Sequence, residues 1–225
     1  MNPSHDPIST ATEAAANSSM HFQPTAIRIM KTLTWELRAA GEAQLARGLE
    51  LSLSEVQACC RILRKRKLIS AWRTSVPVHD LAGPLAMGTR GSSIPDFSSL
   101  AWQLRKRWQQ IPRRAERVLW ANAAAVNVVG GVGGKLRQPL QLEHDLGVAE
   151  IWACRRTEPT LQWISEDIYR AWFVRTAKDK VPDALLIDTD ANVVRRVLEY
   201  GGQYSRKRLE AFHRYWSHRA PYEIW

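Results

Sequence analysis

Two acidic residues, Asp183 and Glu199, stand at the matching ends of two predicted β-strands. The first strand, Ala184–Asp188, is short and apolar. The segment Asp188–Asn192 is typical of a tight turn, because Asp and Asn bond to their own backbone. The alternation of residues in Val193–Tyr200 then predicts the return strand of a hairpin. Because a hairpin brings these strand ends together, we expect the two carboxylates to lie close to each other.

Two neighbouring carboxylates are costly unless they bind a metal, share a proton or meet cations. The pair Asp183 and Glu199 therefore predicts a magnesium-dependent nuclease site, with both residues as metal ligands. The alternative is that both are ordinary surface acids, which are common beside strand ends.

The sequence around this hairpin resembles a known family. The motifs are Pro182–Ile187 (P-D-A-L-L-I), Leu198–Tyr204 (L-E-Y-G-G-Q-Y) and the basic aromatic helix that follows them. They are similar to the bacterial replication-relaxation family, and Leu142–Trp152 resembles the histidine-containing helix of that family. The resemblance implies a setting on plasmids or conjugative elements, a preceding helix-turn-helix and a core similar to the PD-(D/E)xK nucleases.

The resemblance also bears on single residues. His144 matches the histidine of the family's helix and is a third candidate catalytic residue, although a hydrogen-bonded structural histidine is the alternative. The nuclease pattern has Lys two residues after the Glu, where it orients the attacking water, but Gly201 stands there. This departure favours a degenerate core without catalysis, unless Lys180 or Arg195 replaces the missing cation. The acid that a first helix often adds to such sites would be Glu143, Asp145 or Glu150.

Composition points to a polyanionic partner. The 225 residues carry a net charge of +10 with a pI of about 9.9, which suits double-stranded DNA. A merely basic enzyme surface is the alternative. Several of the ten Trp residues alternate with Arg and Lys, a pattern that suits base stacking. The alternative is that these Trp residues pack in the core. The three cysteines, Cys59, Cys60 and Cys154, form no disulfide or metal-binding pattern, so a reducing bacterial cytoplasm is expected. Neither a signal peptide nor a membrane span is visible.

The N-terminal half predicts a winged helix-turn-helix at residues 21–80, after a flexible tail at 1–20. Ser52 and Glu55 form a capping box, in which each side chain bonds to the other residue's backbone, and it starts a basic helix. The predicted elements are helices from Pro24 to Gly41, from Glu42 to a stop at Gly48 and from Leu53 to Lys67, and wing strands at Leu68–Trp72 and Thr74–Val78.

The third of these helices would enter the major groove of DNA. Ser54 and Gln57 are the candidates for contacts with base edges. Candidates for phosphate contacts are Arg61, Arg64, Lys65 and Lys67 on this helix, and Arg105, Lys106 and Arg107 on a second basic helix. The alternative is a protein-interaction module with a solvated basic face.

Residues 81–96 are rich in Gly, Pro and Ser and predict a linker, so that 97–225 form the nuclease-like domain. Its long basic helix, Phe97–Asn122, must kink or divide at Pro112. The glycine-rich segment Val126–Lys135 lacks the spacing of a phosphate-binding loop and predicts a strand and a turn instead. The other predicted elements are a strand at Ala124–Val129, helices at Leu142–Arg155 and Tyr204–His218, an amphipathic segment of undecided type at Thr160–Thr176 and an aromatic tail at Ala220–Trp225 that docks on the core or on a partner.

These observations predict an α+β protein with an N-terminal winged helix-turn-helix and a C-terminal nuclease-like domain, whose small mixed sheet is flanked by helices. The expected function is that of a DNA-binding accessory protein at a plasmid or integrative-element site, in replication or in the initiation of conjugative transfer. A relaxase or replication protein is the expected protein partner, and paired half-sites leave a homodimer open. DNA binding needs no cofactor. The alternatives are a metal-dependent endonuclease, which would use Mg²⁺, and a transcriptional regulator or assembly adaptor.

Overall fold

The computed structural model describes residues 22–132, 139–155, 160–173, 176 and 179–225. The predicted tail at 1–20 and the end of the glycine-rich segment at 133–135 lie outside this part of the chain. The mixed α+β class is confirmed. No described helix combines the length and the apolar character that crossing a membrane requires.

The first elements alternate helices with short strands. In chain order they are α1 (Pro24–Lys31), a π-helix (Thr32–Glu36), β1 (Ala40–Gly41), α2 (Glu42–Leu49), α3 (Leu53–Lys65), β2 (Ile69–Pro77), β3 (Ala86–Gly88), α4 (Phe97–Gln110), β4 (Arg113–Ala121) and α5 (Ala123–Val129). The rest are α6 (Pro139–Arg155), β5 (Leu161–Ser165), α7 (Glu166–Trp172), β6 (Ala184–Asp188), β7 (Val193–Glu199), α8 (Arg206–Trp216) and β8 (Tyr222–Ile224).

The first sheet has the strand order β1-β4-β2, with both pairs antiparallel. The two predicted wing strands are in fact one strand, β2, and its partner β4 comes from the segment that was predicted to continue the basic helix. The helix ends at Gln110, and Pro112 lies between it and the strand. Proline disrupts a helix interior, and the chain beyond it pairs with β2 over nine residues.

The second sheet has the strand order β3-β8-β7-β6-β5. The predicted hairpin is confirmed as β6 and β7, with a bulge at Arg195, because Leu186 pairs with Arg196 and Ile187 with Val194. Strand β8 pairs parallel with β7, so the aromatic tail docks on the core and Trp225 is 3% exposed. Strand β3, at the sheet edge, lies inside the segment predicted as an irregular linker.

Residues 123–129 form helix α5, although a strand was predicted there from the valines. Three successive alanines have the highest helix propensity and favour the helix. Gly130, with φ of 76°, ends it in a conformation that glycine adopts without strain.

One hydrophobic cluster contains side chains from both sheets. It joins Leu33, Leu45 and Leu63 of the N-terminal helices to Trp152 of α6 and Leu198 of β7. Helix α6 packs against α2, β1 and β2 and also carries residues toward the second sheet. The two sheets are therefore built around a continuous core.

Gly48 shows how closely α6 approaches α2. It was predicted to end its helix, but the helix continues to Leu49, and Glu50 follows it in a left-handed conformation with φ of 53°. A Cβ atom on Gly48 would lie 2.0 Å from Cζ3 of Trp152. The glycine is required by packing and not by the end of the helix.

We expect Gly48→Ala to lower the free energy of unfolding by about 1–3 kcal/mol, the usual cost of overpacking a core. Helix propensity alone would give the opposite sign, about 1 kcal/mol of stabilisation. Urea unfolding followed by tryptophan fluorescence measures the difference. Gly83→Ala is the matched control, because a Cβ there meets nothing within 4 Å. A Gly48→Ala protein as stable as the wild type would contradict this account of the packing.

Candidate functional site

The structure brings the two predicted carboxylates together. Asp183 precedes β6, and its backbone N–H donates to the carbonyl of Leu198, the neighbour of Glu199. The Asp183 Oδ2 atom accepts a hydrogen bond from the backbone N–H of Tyr200 at 2.7 Å. His144 on α6 completes the group, with its Nε2 atom 3.4 Å from the same carboxylate oxygen. All three residues that the sequence singled out are thus in one place.

Glu199 is the most buried member of this group, at 3% exposure. Its Oε1 atom accepts a hydrogen bond from the Tyr204 hydroxyl at 2.7 Å and lies 3.6 Å from Nη2 of Arg208. Its Oε2 atom has no hydrogen-bond partner among the described residues. Burial, followed by the negative charge of Asp183, raises the pKa of Glu199 to about 8. The folded structure therefore favours the protonated form of this carboxyl group.

His144 and Asp145 also have shifted pKa values. Burial alone would lower the pKa of His144, but Asp183, which is the closest carboxylate, and then Glu199 and Asp145 outweigh it and raise the value to about 9. Burial raises the pKa of Asp145 to about 6 against the opposing effect of Arg38. The neighbouring carboxylates therefore favour the charged imidazolium form of His144 beside Asp183.

A cavity of about 520 Å³ opens over Asp183, Glu199 and His144. Three cations, Arg38, Arg170 and Arg208, also line it. A space of this size with both acidic and basic walls suits a phosphodiester held near two carboxylates. We call it the carboxylate cavity.

The described residues form no closed metal cage, and the side chains that could hold a Mg²⁺ ion here are Asp183 and Glu199, with a substrate and water as the remaining ligands. No described residues form a group of three or more potential ligands. Oδ2 of Asp183 and Oε1 of Glu199 accept hydrogen bonds, whereas Oε2 of Glu199 accepts none from the described residues and is buried. Magnesium is often bound through only one or two carboxylates, with waters and phosphates supplying the rest.

Of the three acids on α6, only Asp145 lies beside the site, where it borders a small recess with His144 and Asp183. The other two face elsewhere. Glu143 accepts a hydrogen bond from Arg113, and Glu150 accepts one from Arg47.

Gly201 explains why the expected lysine is absent. A Cβ atom there would lie 2.5 Å from a methyl group of Leu104, so a side chain at this position would enter the core. Of the two proposed replacements, Arg195 bonds to Asp188 at the other end of the hairpin. Lys180 lines a cavity next to the carboxylate cavity.

Arg208 and Tyr204 are the site residues that sequence reasoning missed. Arg208 lies on the solvent-facing side of the last helix, as predicted, with its side chain 61% exposed, but its Nη2 atom also donates to the Tyr204 hydroxyl at 2.7 Å. The guanidinium also lies 3.6 Å from the centre of the Tyr204 ring. The four-residue spacing of these two residues beside the L-E-Y-G-G-Q-Y motif was the available signal.

The predicted capping box is confirmed at the start of α3, where the Ser52 N–H donates to Glu55 and the Glu55 N–H donates to Ser52. The side chain of Gln57 is half-buried, and its amide donates to Glu42 at 3.1 Å. Of the other DNA-binding candidates in this region, five are exposed: Ser54, Arg61, Arg64, Lys65 and Lys67.

The predicted DNA-binding residues on α4 are of two kinds, exposed and inward-facing. Arg105 and Lys106 are exposed, and the Lys106 ammonium lies 4.9 Å from the centre of the Trp102 ring. Arg107 points inward instead, where it donates to the carbonyls of Gly201 and Trp225. Burial lowers the pKa of Arg107. This arginine fixes the end of the second sheet and is not on the basic surface where the sequence placed it.

No protein-family model, curated protein or solved structure matches this chain.

The raised pKa of Glu199 makes the stability of the protein depend on pH. The unfolded chain releases this proton above about pH 4.5, whereas the folded protein keeps it until about pH 8. The stabilisation that this proton gives to the folded protein is therefore present in acid and lost as the pH rises from 4.5 to 8. In metal-free buffer we expect Glu199→Gln to match the wild type at the acidic end and to be more stable at pH 8, by roughly 1 kcal/mol or more.

Urea unfolding at several pH values measures this difference. Glu210→Gln is the control, because Glu210 lies on α8 and pairs with exposed Arg206. Parallel pH profiles for the wild type and Glu199→Gln would show that Glu199 does not hold the proton.

Proposed function

We propose that this protein binds duplex DNA through α3 and acts as an accessory protein at a plasmid or integrative-element site. Three helices followed by the antiparallel strands β2 and β4 support a winged helix-turn-helix with α3 as the reading helix. The two strands of this wing are joined by residues 78–112, which form β3 and α4 on the way.

The observation that carries the proposal is the unneutralised charge on α3. Within the described part of the chain, Arg61, Arg64 and Lys65 take part in no ion pair and are exposed. Many other arginines are paired with carboxylates, such as Arg38 and Arg117. Unpaired cations along one helix suit phosphates, whose neutralisation releases counterions.

Ser54, in the first turn of α3, is the better candidate for a base contact. It is exposed, and its hydroxyl lies 3.1 Å from that of Ser52. Gln57 would have to break its bond to Glu42 before it could contact a base. The biological setting, with a relaxase or replication protein as partner, comes from the family resemblance. The mixed sheet flanked by helices, with carboxylates at adjacent strand ends, supports a nuclease-like core.

We expect the double variant Arg61→Ala, Arg64→Ala to bind duplex DNA more weakly and with less dependence on salt. Each lost phosphate contact should lower the slope of log affinity against log salt by about 0.9, so the pair should lower it by about 1.8. Fluorescence anisotropy with a labelled random duplex measures the slope. Fragments from the replication and transfer origins of the host element test the proposed setting in the same assay.

The charge-matched control is Arg195→Ala with Arg206→Ala. Both arginines are exposed, and they already pair with Asp188 and Glu210. The control should keep the wild-type slope. If the two double variants lose the same slope, general charge and not α3 binds the DNA.

A second candidate function is metal-dependent cleavage of DNA. The specific observation in its favour is the meeting of Asp183, Glu199 and His144 in a cavity that Arg208 also lines. Asp183 and Glu199 would hold Mg²⁺, and the ion, when bound, would polarise a phosphoryl oxygen and acidify a bound water. Arg208 would supply the positive charge that the position of Gly201 cannot.

For an active core, Asp183→Ala should abolish magnesium-dependent nicking of a supercoiled plasmid and leave duplex affinity within about two-fold of the wild type, since Asp183 is buried and the proposed duplex contacts are exposed cations on α3. Asp190→Ala is the control, because Asp190 is an exposed acid in the turn of the same hairpin. Nicking that persists in Asp183→Ala comes from another site or a contaminant. Tight binding by a wild-type protein that does not nick supports the accessory role alone.

A further inference from the structure

A second cavity, of about 470 Å³, lies next to the carboxylate cavity. Val181, Glu199 and Arg208 line both spaces, so Glu199 and Arg208 stand at their junction. The other side chains around the second cavity are Lys180, Ser205, Lys207, Ala211 and Phe212. We call this space the basic cavity.

The charges around the basic cavity do not balance. Lys180, Lys207 and Arg208 supply three cations, whereas Glu199 is the single acid among the described residues that line it. Neither Lys180 nor Lys207 forms an ion pair within the described ranges. Like charges around one concave space repel each other and attract an anion.

The start of α8 gives a second and independent indication. This helix has eleven residues, and Ser205 caps it by accepting a hydrogen bond from the Arg208 N–H. A helix N-terminus carries partial positive charge and favours acids in its first turn. The first turn of α8 contains no acid and begins Arg206-Lys207-Arg208. Cations at this end oppose the helix dipole, and a bound anion would relieve that repulsion.

Glu199 adds a buried polar atom at the junction. Its Oε2 atom is buried and has no hydrogen-bond partner among the described residues. A buried oxygen without a partner is costly. Because Oε1 accepts from Tyr204, a proton on this carboxyl group would lie on Oε2, where it would donate to an oxygen of a bound anion.

We propose that the basic cavity binds a phosphoryl group of a nucleic-acid strand, with Lys180, Lys207 and Arg208 as its ligands. Two lysines supply compact charges, and the guanidinium supplies a fork that matches two phosphate oxygens. The nucleic-acid source rests on the proposed function. The binding of a phosphate anion rests on the cavity alone. The cavity adjoins the carboxylates, so the same strand would reach both spaces.

The first test uses inorganic phosphate and needs no DNA. Thermal unfolding is followed in sodium phosphate and in sodium chloride of equal ionic strength, because a ligand of the folded state raises the midpoint. The wild type should show a higher midpoint in phosphate. Lys180→Ala with Lys207→Ala should lose this shift, and Lys207→Arg should keep it. Both lysines are exposed, so the double variant should fold.

Arg61→Ala with Arg64→Ala is the matched control, since it removes the same charge from another surface. It should keep the phosphate shift and lower the salt slope of duplex binding by about 1.8. Equal losses of the shift in both double variants would assign it to net charge and overturn the site. So would a wild-type protein that responds equally to phosphate and chloride.

The second test identifies the source of the phosphoryl group, with single-stranded oligonucleotides that carry a 5′-phosphate or a 5′-hydroxyl. A wild-type preference for the phosphorylated strand of about ten-fold, abolished in the lysine double variant, would indicate a strand end. Equal wild-type affinities that both fall in the lysine variant would indicate an internal phosphodiester. If the lysine variant binds both strands as the wild type does, the site does not serve nucleic acid. Duplex binding through α3 is measured in a separate assay. A failure of the proposed phosphate site can therefore be distinguished from a failure of the proposed duplex binding.

Discussion

Arg38, whose side chain is 11% exposed, links the segment between the π-helix and β1 to helices α6 and α7 and borders the candidate site. Its guanidinium donates to Asp167 at 2.6 Å, pairs with Glu166 at 2.7 Å and lies 3.7 Å from Asp145. A charge this buried is stable only when carboxylates surround it, and removing one partner of such a group is strongly destabilising. Asp145 lies on the helix that carries His144, and Arg38 itself lines the carboxylate cavity. The electrostatic balance of the site therefore depends on a residue that follows the first helices of the chain.

The π-helix before Arg38 supplies the backbone contacts that keep it in place. The Ser165 hydroxyl donates to the Trp35 carbonyl, and the Trp163 indole donates to the Glu36 carbonyl. Carbonyls near the end of a helix lack partners within it, and here the second sheet provides them. Helix α6 joins the same parts from the other side through Trp152, whose indole donates to the Glu36 carboxylate. These contacts tie the N-terminal helices to the second sheet, which carries the carboxylates.

Local signals in the sequence were sufficient for several elements. The capping box of α3, the hairpin of β6 and β7, and helices α6 and α8 each depend on residues a few positions apart, which a single sequence displays. The same hairpin placed Asp183 beside Glu199 correctly. Strand β4 was missed because its partner lies far away in the chain, and pairing overrode a helix-like composition. The inward position of Arg107 was missed because it depends on the distant carbonyl of Trp225, and the contact between Arg208 and Tyr204 was missed although Arg208 faces solvent as predicted.

Residues 78–112 connect β2 to β4 by way of the second sheet, and this connection limits how the fold can be divided. The chain leaves the first sheet after β2, adds β3 to the edge of the second sheet and returns as β4, the central strand of the first. If the chain were divided anywhere within residues 78–112, β2 would be on a different piece from β4, the only long strand that pairs with it among the described elements. The elements around α3 and the carboxylate core are thus interlaced along the chain, and no single cut divides them into two contiguous modules.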